Sequence, residues 1–249
     1  MRIPRVFVPP SHWRGREEAW ITGEDARHLT RVLRLAAGSK VLLLDGSGRA
    51  YAAEIREVDR EGVRALVTGP AELPADPGLR VTLVPSLAKG ERMDDLVQKA
   101  TEVGVAAIVP VVSERTVVRL TPEKAGWRVE RWRRIATEAA EQCRRPLIPE
   151  IHPVCRFEEA LGLVPAGGAA FFLWEEERGT GLKEALRSRP PAREVFLFTG
   201  PEGGFTPEEA AAAAARGAVS VSLGPRLLRT DTAGVVAATL VLYEWGDIG

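Results

Sequence analysis

Two stretches, Thr199-Gly-Pro-Glu-Gly-Gly-Phe-Thr206 and Leu223-Gly-Pro-Arg-Leu-Leu-Arg-Thr-Asp-Thr-Ala233, decide how the chain is read. Each follows a short apolar run with the composition of a buried strand, Glu194-Val-Phe-Leu-Phe198 and Val219-Ser-Val-Ser-Leu223. Each is followed by a helical pattern. Gly200, Gly203 and Gly204 remove Cβ atoms where the backbone must turn sharply or lie flat against a ligand. Thr206 predicts a helix N-cap, with Pro207 at the first helical position and Glu209 completing a capping box. Thr230 or Asp231 is expected to cap the last helix in the same way. Two strand ends carrying glycine loops, side by side in a sheet, make a crevice for a small molecule. Taken singly, either loop reads better as an ordinary turn with glycine for geometry alone. Neither is G-x-G-x-x-G or G-x-x-x-x-G-K-[ST], so the dinucleotide and P-loop fingerprints do not apply, and a dehydrogenase is remote.

Working outward, the pattern upstream is strand–helix alternation, the mark of an α/β domain. Arg80-Val-Thr-Leu-Val84 predicts a strand and Gly90–Gly104 a helix with Met93, Leu96, Val97, Ala100 and Val103 buried, stopped at Gly104. Ala106–Val111 and the fully apolar Ala169–Trp174 are further strands, the latter ending in Glu175-Glu-Glu177. Trp127–Gln142 is the longest helical pattern, with Trp132, Ile135, Ala136, Ala139 and Cys143 along one side. The last helix, from about Asp231 to Glu244, is apolar on much of its circumference and must be covered.

Pro70-Ala-Glu-Leu-Pro-Ala-Asp-Pro-Gly78 is a linker. Before it lie short strands, Arg5–Val8, Lys40–Leu44, Ala50–Ile55 and Val63–Val67, with Asp45-Gly-Ser-Gly48 as a hairpin turn. One helix interrupts them, Glu24–Arg34, with Ala26, Leu29, Val32 and Leu33 inward and Arg27, Arg31 and Arg34 outward. A small barrel with one helix is the natural packing. The expected division is therefore residues 1–70, a linker at 71–78, and an α/β domain over 79–249.

Lys plus Arg equals Asp plus Glu, 34 each, so an acidic partner would have to be met by local clustering. Only Cys143 and Cys155 are present, which make no disulfide framework or zinc site, and a reduced cytosol is the simpler compartment. No apolar run is long enough to span a bilayer. No metal site is visible, and a soluble, cytoplasmic protein is expected.

Taken together, Gly-Pro-Glu-Gly-Gly-Phe-Thr and Leu-Gly-x-Arg-x-Leu-Arg-Thr-x-Thr-Ala resemble the bacterial 16S ribosomal RNA uridine-N3 methyltransferases, of the knotted SPOUT superfamily. The resemblance extends to His28-Leu-x-x-Val-Leu-Arg-Leu with Asp45-Gly-x-Gly, to Lys89-Gly-x-Arg-Met-Asp-x-x-Val-Gln-Lys-Ala-Thr-Glu, to Ser113-Glu-Arg-Thr-Val-Val118, and to Glu138-Ala-Ala-Glu-Gln-Cys-Arg-Arg145. It implies a PUA-like RNA-binding barrel, a SPOUT α/β domain with a deep trefoil knot tied by the last helix, a homodimer, S-adenosylmethionine as cofactor, and 16S RNA or the 30S particle as partner. It also implies a cofactor pocket built largely from backbone, drawing on Thr199, Gly200, Pro201, Gly203, Leu223, Gly224, Leu227, Leu228, Thr230, Thr232 and Ala233, with Leu173, Trp174 and Glu175 at a third strand end. Arg27, Arg31 and Arg34 become RNA contacts.

N3 of uracil is a weakly acidic imide, so methylation there needs a carboxylate base or cations that stabilise the uracil anion. Glu202 stands where it can accept a proton, bind the cofactor, or act as a helix-dipole partner. Arg226 and Arg229 can stabilise the uracil oxygens or hold phosphate. For Lys89, Arg92 and Arg115, contact with RNA and ion pairing between neighbouring elements stay open. The family often has Glu where this chain has Asp231, which argues against a direct catalytic role there. Competing readings are a non-catalytic RNA-binding assembly factor and a SPOUT enzyme acting on another RNA, such as a tRNA ribose methyltransferase.

Overall fold

The computed structural model of the chain describes residues 3–15, 17–72, 78–246 and 248. By packing, the chain divides into two compact units, Met1–Asp76 with Ala140–Ile148, and Pro77–Ala139 with Pro149–Gly249.

In the first unit, strands β1 (Arg5–Phe7), β2 (Trp13–Arg14), β3 (Glu18–Ile21), β4 (Lys40–Leu44), β5 (Ala50–Val58) and β6 (Val63–Ala71) accompany a short helix α1 (Gly23–Arg27). They form one sheet in the order β1-β4-β5-β6-β3-β2, antiparallel except for β1 with β4. The expected barrel is thus a sheet whose edges β1 and β2 are not paired as strands. The Trp13 indole N–H, which donates to the Val8 carbonyl at 3.0 Å, bridges that seam instead. Alternation along the strands points Val41, Leu43, Ala53, Ile55, Val63 and Ala65 into one core. Asp45-Gly-Ser-Gly48 is the β4–β5 turn, with the Asp45 carboxylate accepting from the Ser47 N–H at 2.8 Å.

The expected helix 24–34 is corrected. After α1 it widens into a π turn over His28–Val32 and ends at Arg34, whose φ is 54°. That widening breaks the 3.6-residue register, so Ala26 and Leu29 stay buried while Val32 and Leu33 face solvent. Strands β2 and β3 escaped the sequence reading because two- and four-residue segments carry too little alternation. Strand β6 continues into Ala71, and residues 73–77 of the expected linker lie outside the described residues.

The second unit runs β7 (Arg80–Pro85), α2 (Arg92–Val103), β8 (Ala107–Ile108), β9 (Val111–Val112), α3 (Pro122–Cys143), β10 (Glu150–Ile151), β11 (Cys155–Arg156), α4 (Phe157–Leu161), β12 (Ala169–Leu173), α5 (Leu182–Arg187), β13 (Glu194–Thr199), α6 (Pro207–Ala215), β14 (Val219–Val221) and α7 (Thr230–Trp245). Its main sheet is parallel, in the order β10-β8-β7-β13-β12-β14, and β9 pairs with β11 in a separate two-stranded sheet. Continuous apolar runs such as Ala169-Ala-Phe-Phe-Leu173 are buried on both faces, as a parallel sheet requires.

Helix α2 begins at Arg92 and stops at Gly104, whose φ of 116° no side chain would favour. Thr101 takes the buried place expected for Val103, its hydroxyl satisfied by the Val97 carbonyl at 2.7 Å. Helix α3 starts five residues before its expected Trp127, and its last turn belongs with the first unit. There Ala140 packs with Phe7, Leu44 and Ala50, so residues 140–148, read from sequence as part of the second domain, group with the first by packing.

Helix α7 is also corrected at its start. Neither Thr230 nor Asp231 caps it. Arg229 is the N-cap residue and no side chain bonds there, while its carbonyl accepts from the N–H groups of Thr232 and Ala233 at 2.9 and 2.7 Å. Thr230 is already inside the first turn and buried.

Candidate active site

The C-terminal ends of β12, β13 and β14 meet at a cleft of about 400 Å³ within the second unit, a volume in the range of small-molecule sites. Strand β12 lies between β13 and β14, so the two glycine loops expected side by side are held one strand apart. Two loops shape it, one after β13 and one after β14.

The β13 loop, 200–206, is anchored from below. Phe205 is fully buried against Phe172, with ring centroids 4.3 Å apart, and beside Phe157 at 5.3 Å. Burying that ring contributes on the order of 2–3 kcal/mol toward holding the loop down. A Cβ at Gly200 would stand 3.2 Å from the Phe205 ring, so the loop lies close over its own anchor. Gly204 turns the chain with φ +67°, and a Cβ there would fall on the Glu175 carboxylate. The predicted capping box forms: Thr206 Oγ1 accepts from the Glu209 N–H at 3.2 Å and Glu209 Oε2 from the Thr206 N–H at 2.9 Å. Glu209 Oε1 accepts in addition from the Glu114 N–H at 2.9 Å. Arg115 donates to the carbonyls of Gly203 at 3.0 Å and Phe205 at 3.3 Å.

Glu202 points the other way along the wall. Its Oε1 accepts from the Lys89 backbone N–H at 3.0 Å and from the Arg92 guanidinium at 2.6 Å. Partial burial pushes this carboxyl up. The hydrogen bonds from Lys89 and from its own backbone, with the charges of Arg92 and Lys89, outweigh that and hold it below the ordinary carboxylate range. Glu202 is therefore an ionised brace between the β7–α2 loop and the β13 loop.

The β14 loop is the opposite case. Ser222 Oγ accepts from the Gly224 N–H at 3.2 Å, and Gly224 has φ +99°. Beyond it, among the described residues, the backbone N–H groups of Arg226, Leu227 and Leu228 donate to no group of this chain. Leu227 is 87% exposed. A stretch of unsatisfied backbone donors beside the apolar walls of Leu173, Val221, Leu223 and Leu228 is a cradle for a ligand with both polar and apolar parts.

Of the residues expected at a cofactor pocket, Leu173, Trp174, Glu175, Thr199, Gly200, Pro201, Leu223, Gly224, Leu227, Leu228, Thr230 and Ala233 border this cleft. Glu202, Arg226 and Arg229 border it too, joined by Arg92. Gly203 and Thr232 do not; a Cβ at Gly203 would face Arg115 Cβ at 3.2 Å, behind the wall. Lys89 reaches the site only through its backbone, and Arg115 by bracing the loop. Arg27, Arg31 and Arg34 stand in the first unit, exposed and without an ion-pair partner among the described residues. Sequence reading missed Arg178, Val221, Ser222 and Pro225 on the cleft. Gly204, singled out with Gly200 and Gly203 in the sequence, does border the cleft, its Cβ direction facing Glu175 where that of Gly203 faces Arg115. Arg178 follows a run of three glutamates and carries no sequence signal of its own. Among the described residues no group of three His, Cys, Asp or Glu side chains is placed to hold a metal ion.

A parallel α/β unit with this cleft, preceded by a small β-rich unit, has matching family profiles: residues 75–242 fit the RNA methyltransferase domain and residues 21–68 the RNA methyltransferase PUA domain. The chain belongs to the RNA methyltransferase family. Among its curated relatives are the proteins named ribosomal RNA small subunit methyltransferase E of Synechocystis, 35% identical over 87% of this chain and 70% of the relative, and of Bacillus subtilis, 31% identical over 90% and 89%. Among solved structures, ribosomal RNA small subunit methyltransferase E from Neisseria gonorrhoeae bound to S-adenosyl methionine superposes with a TM-score of 0.85 at 33% identity, covering 99% of both chains. A Legionella pneumophila putative methyltransferase, also in complex with that cofactor, has a TM-score of 0.85 at 30% identity over 100% of both.

Proposed function

We propose that this protein transfers a methyl group from S-adenosylmethionine to N3 of a uridine in 16S ribosomal RNA. The single observation that carries the reading is the cleft at three parallel strand ends, where a backbone segment with free N–H groups faces apolar walls, in a chain alignable end to end with a cofactor-bound relative. Leu173, Leu223 and Leu228 would enclose the adenosine and methionine portions, and the N–H groups of 226–228 would bind their polar atoms. When bound, the cofactor supplies an electrophilic methyl on a sulfonium, so alignment and removal of the N3 proton are the protein's tasks.

Glu202, engaged by Arg92 and Lys89 and acidified by them, is poorly matched to a proton-accepting role at neutral pH. Arg178, Arg226 and Arg229 border the cleft without an ion-pair partner among the described residues. They supply the positive charge that makes N3 ionisation easier by stabilising the uracil oxygens. The target base must be unpaired or splayed out to present N3.

In this proposal residues 1–70 form the RNA-gripping domain and 79–249 the catalytic domain, as read from the sequence, except that β6 carries the first domain on through Ala71 and residues 140–148 pack with it. A trefoil knot is supported by the path of the chain: β14 lies beyond β12, yet α7 returns to pack on β13, β7 and α2. A homodimer is supported by the exposed Leu240 and Tyr243 on α7. Cytoplasm is where such a substrate is found. The test is methyl transfer from labelled S-adenosylmethionine to small-subunit particles of a strain lacking this gene, with nucleoside mass spectrometry of the RNA. N3-methyluridine is expected; another methylated nucleoside, or none, overturns the assignment.

A further inference from the structure

Helix α3 carries a surface the cleft does not explain. Trp127 is 68% exposed, although the same helix buries Val129, Trp132 and Ala136 on its inner side. A lone exposed apolar side chain means little; its neighbours mark this one. Lys124, Trp127, Arg131 and Arg134 recur at i, i+3, i+7 and i+10, one stripe about 15 Å long, and all are exposed. From Arg119 to Arg134 there are six Lys or Arg against two Asp or Glu, in a chain whose totals balance at 34 each. Lys124, Arg128 and Arg134 have no acidic partner among the described residues. Arg131 is held by Asp94 of α2, at 2.6 and 2.8 Å, and the Trp132 indole donates to the same carboxylate at 2.9 Å. Those bonds fix the stripe beside the first turn of α2, whose Arg92 stands on the cleft wall.

An indole face in a stripe that also carries the unpaired cations Lys124 and Arg134 fits a strand whose bases stack and whose phosphates need neutralising. We infer that this stripe is a platform for single-stranded RNA, one unpaired base lying on Trp127 and adjacent phosphates meeting Lys124 and Arg134. The inference rests on the RNA methyltransferase reading above and adds to it where RNA outside the target nucleotide is held.

The test compares the full-length protein with Trp127→Ala, Trp127→Phe and Arg134→Ala. Binding of a short fluorescein-labelled oligouridylate is followed by anisotropy across a salt series, with cofactor affinity by calorimetry and subunit mass by sedimentation. Trp127→Ala is expected to weaken RNA binding about 5- to 150-fold, with Trp127→Phe retaining most of the affinity. Arg134→Ala should lower the salt slope. Cofactor affinity and subunit mass should not change. Unaltered RNA affinity in Trp127→Ala overturns the platform, and so does a change of subunit mass in that variant, which would make the stripe a contact between copies. If the wild type methylates no RNA while Trp127→Ala still loses oligouridylate binding, the platform stands and the proposed reaction falls.

Discussion

Replacing Glu202 by Gln distinguishes a brace from a base. The carboxylate accepts from Lys89 N–H at 3.0 Å and Arg92 at 2.6 Å, with side-chain exposures of 28% for Glu202 and 39% for Arg92. Gln keeps an oxygen for the Lys89 N–H and loses the ion pair. A half-exposed pair of this kind is worth about 0.2–1 kcal/mol, and a charge-assisted hydrogen bond weakened to a neutral one adds a similar amount, so a stability loss of about 1 kcal/mol at pH 7 is expected. The sign with pH follows from the lowered folded-state pKa. The contribution is complete above the unfolded carboxyl value of about 4.3 and is lost as pH falls through the lower folded value. Urea unfolding should therefore show a gap between wild type and variant at pH 7 that closes in the acid range. Methyl transfer should drop modestly through loosening of the β13 loop, with the pH–rate profile unchanged in shape. A general base contributes about 10²–10⁴-fold. A loss of that size with disappearance of the acidic limb, at unchanged stability, would show that Glu202 takes the proton and refute the brace.

Thr206→Ala removes the acceptor for the Glu209 N–H and should cost about 1 kcal/mol in urea unfolding, with m unchanged. Gly204→Ala forces a side chain into φ +67° and onto the Glu175 carboxylate; about 1–2 kcal/mol of destabilisation is expected together with weaker cofactor binding by calorimetry, and wild-type affinity would remove Gly204 from the site. Arg31→Ala with Arg34→Ala should weaken RNA binding and lower its salt slope by about 0.7–0.9 for each phosphate no longer neutralised, an unchanged slope making that helix face merely solvated. S-adenosylmethionine at about 100 times its Kd should stabilise the wild type by about 2.7 kcal/mol, seen as a raised Tm, while leaving a variant of the β14 cradle such as Gly224→Val much less affected.

Short-range chemistry made much of this protein legible from its residues alone. Capping at Thr206-Pro-Glu-Glu209, the stop at Gly104, the hairpin at Asp45–Gly48 and the apolar strands at Arg80, Ala169 and Glu194 depend on neighbours a few positions away and appear as read. The expected strand 106–111, by contrast, is split between β8 and β9 in two different sheets. The two glycine-bearing loops could be recognised as the rim of one crevice because parallel strands put their C-terminal ends on one edge. What residue order left undecided is what depends on partners distant in the chain. Glu202 meets Arg92 across 110 positions, Arg115 meets the Gly203 carbonyl across 88, and Ala140 leaves its expected domain to join Phe7 and Leu44. A carboxylate can be a base, a ligand or a brace with the same neighbours in sequence. Only the packed chain, by setting which charges and N–H groups converge on its oxygens, fixes how readily it gives or takes a proton.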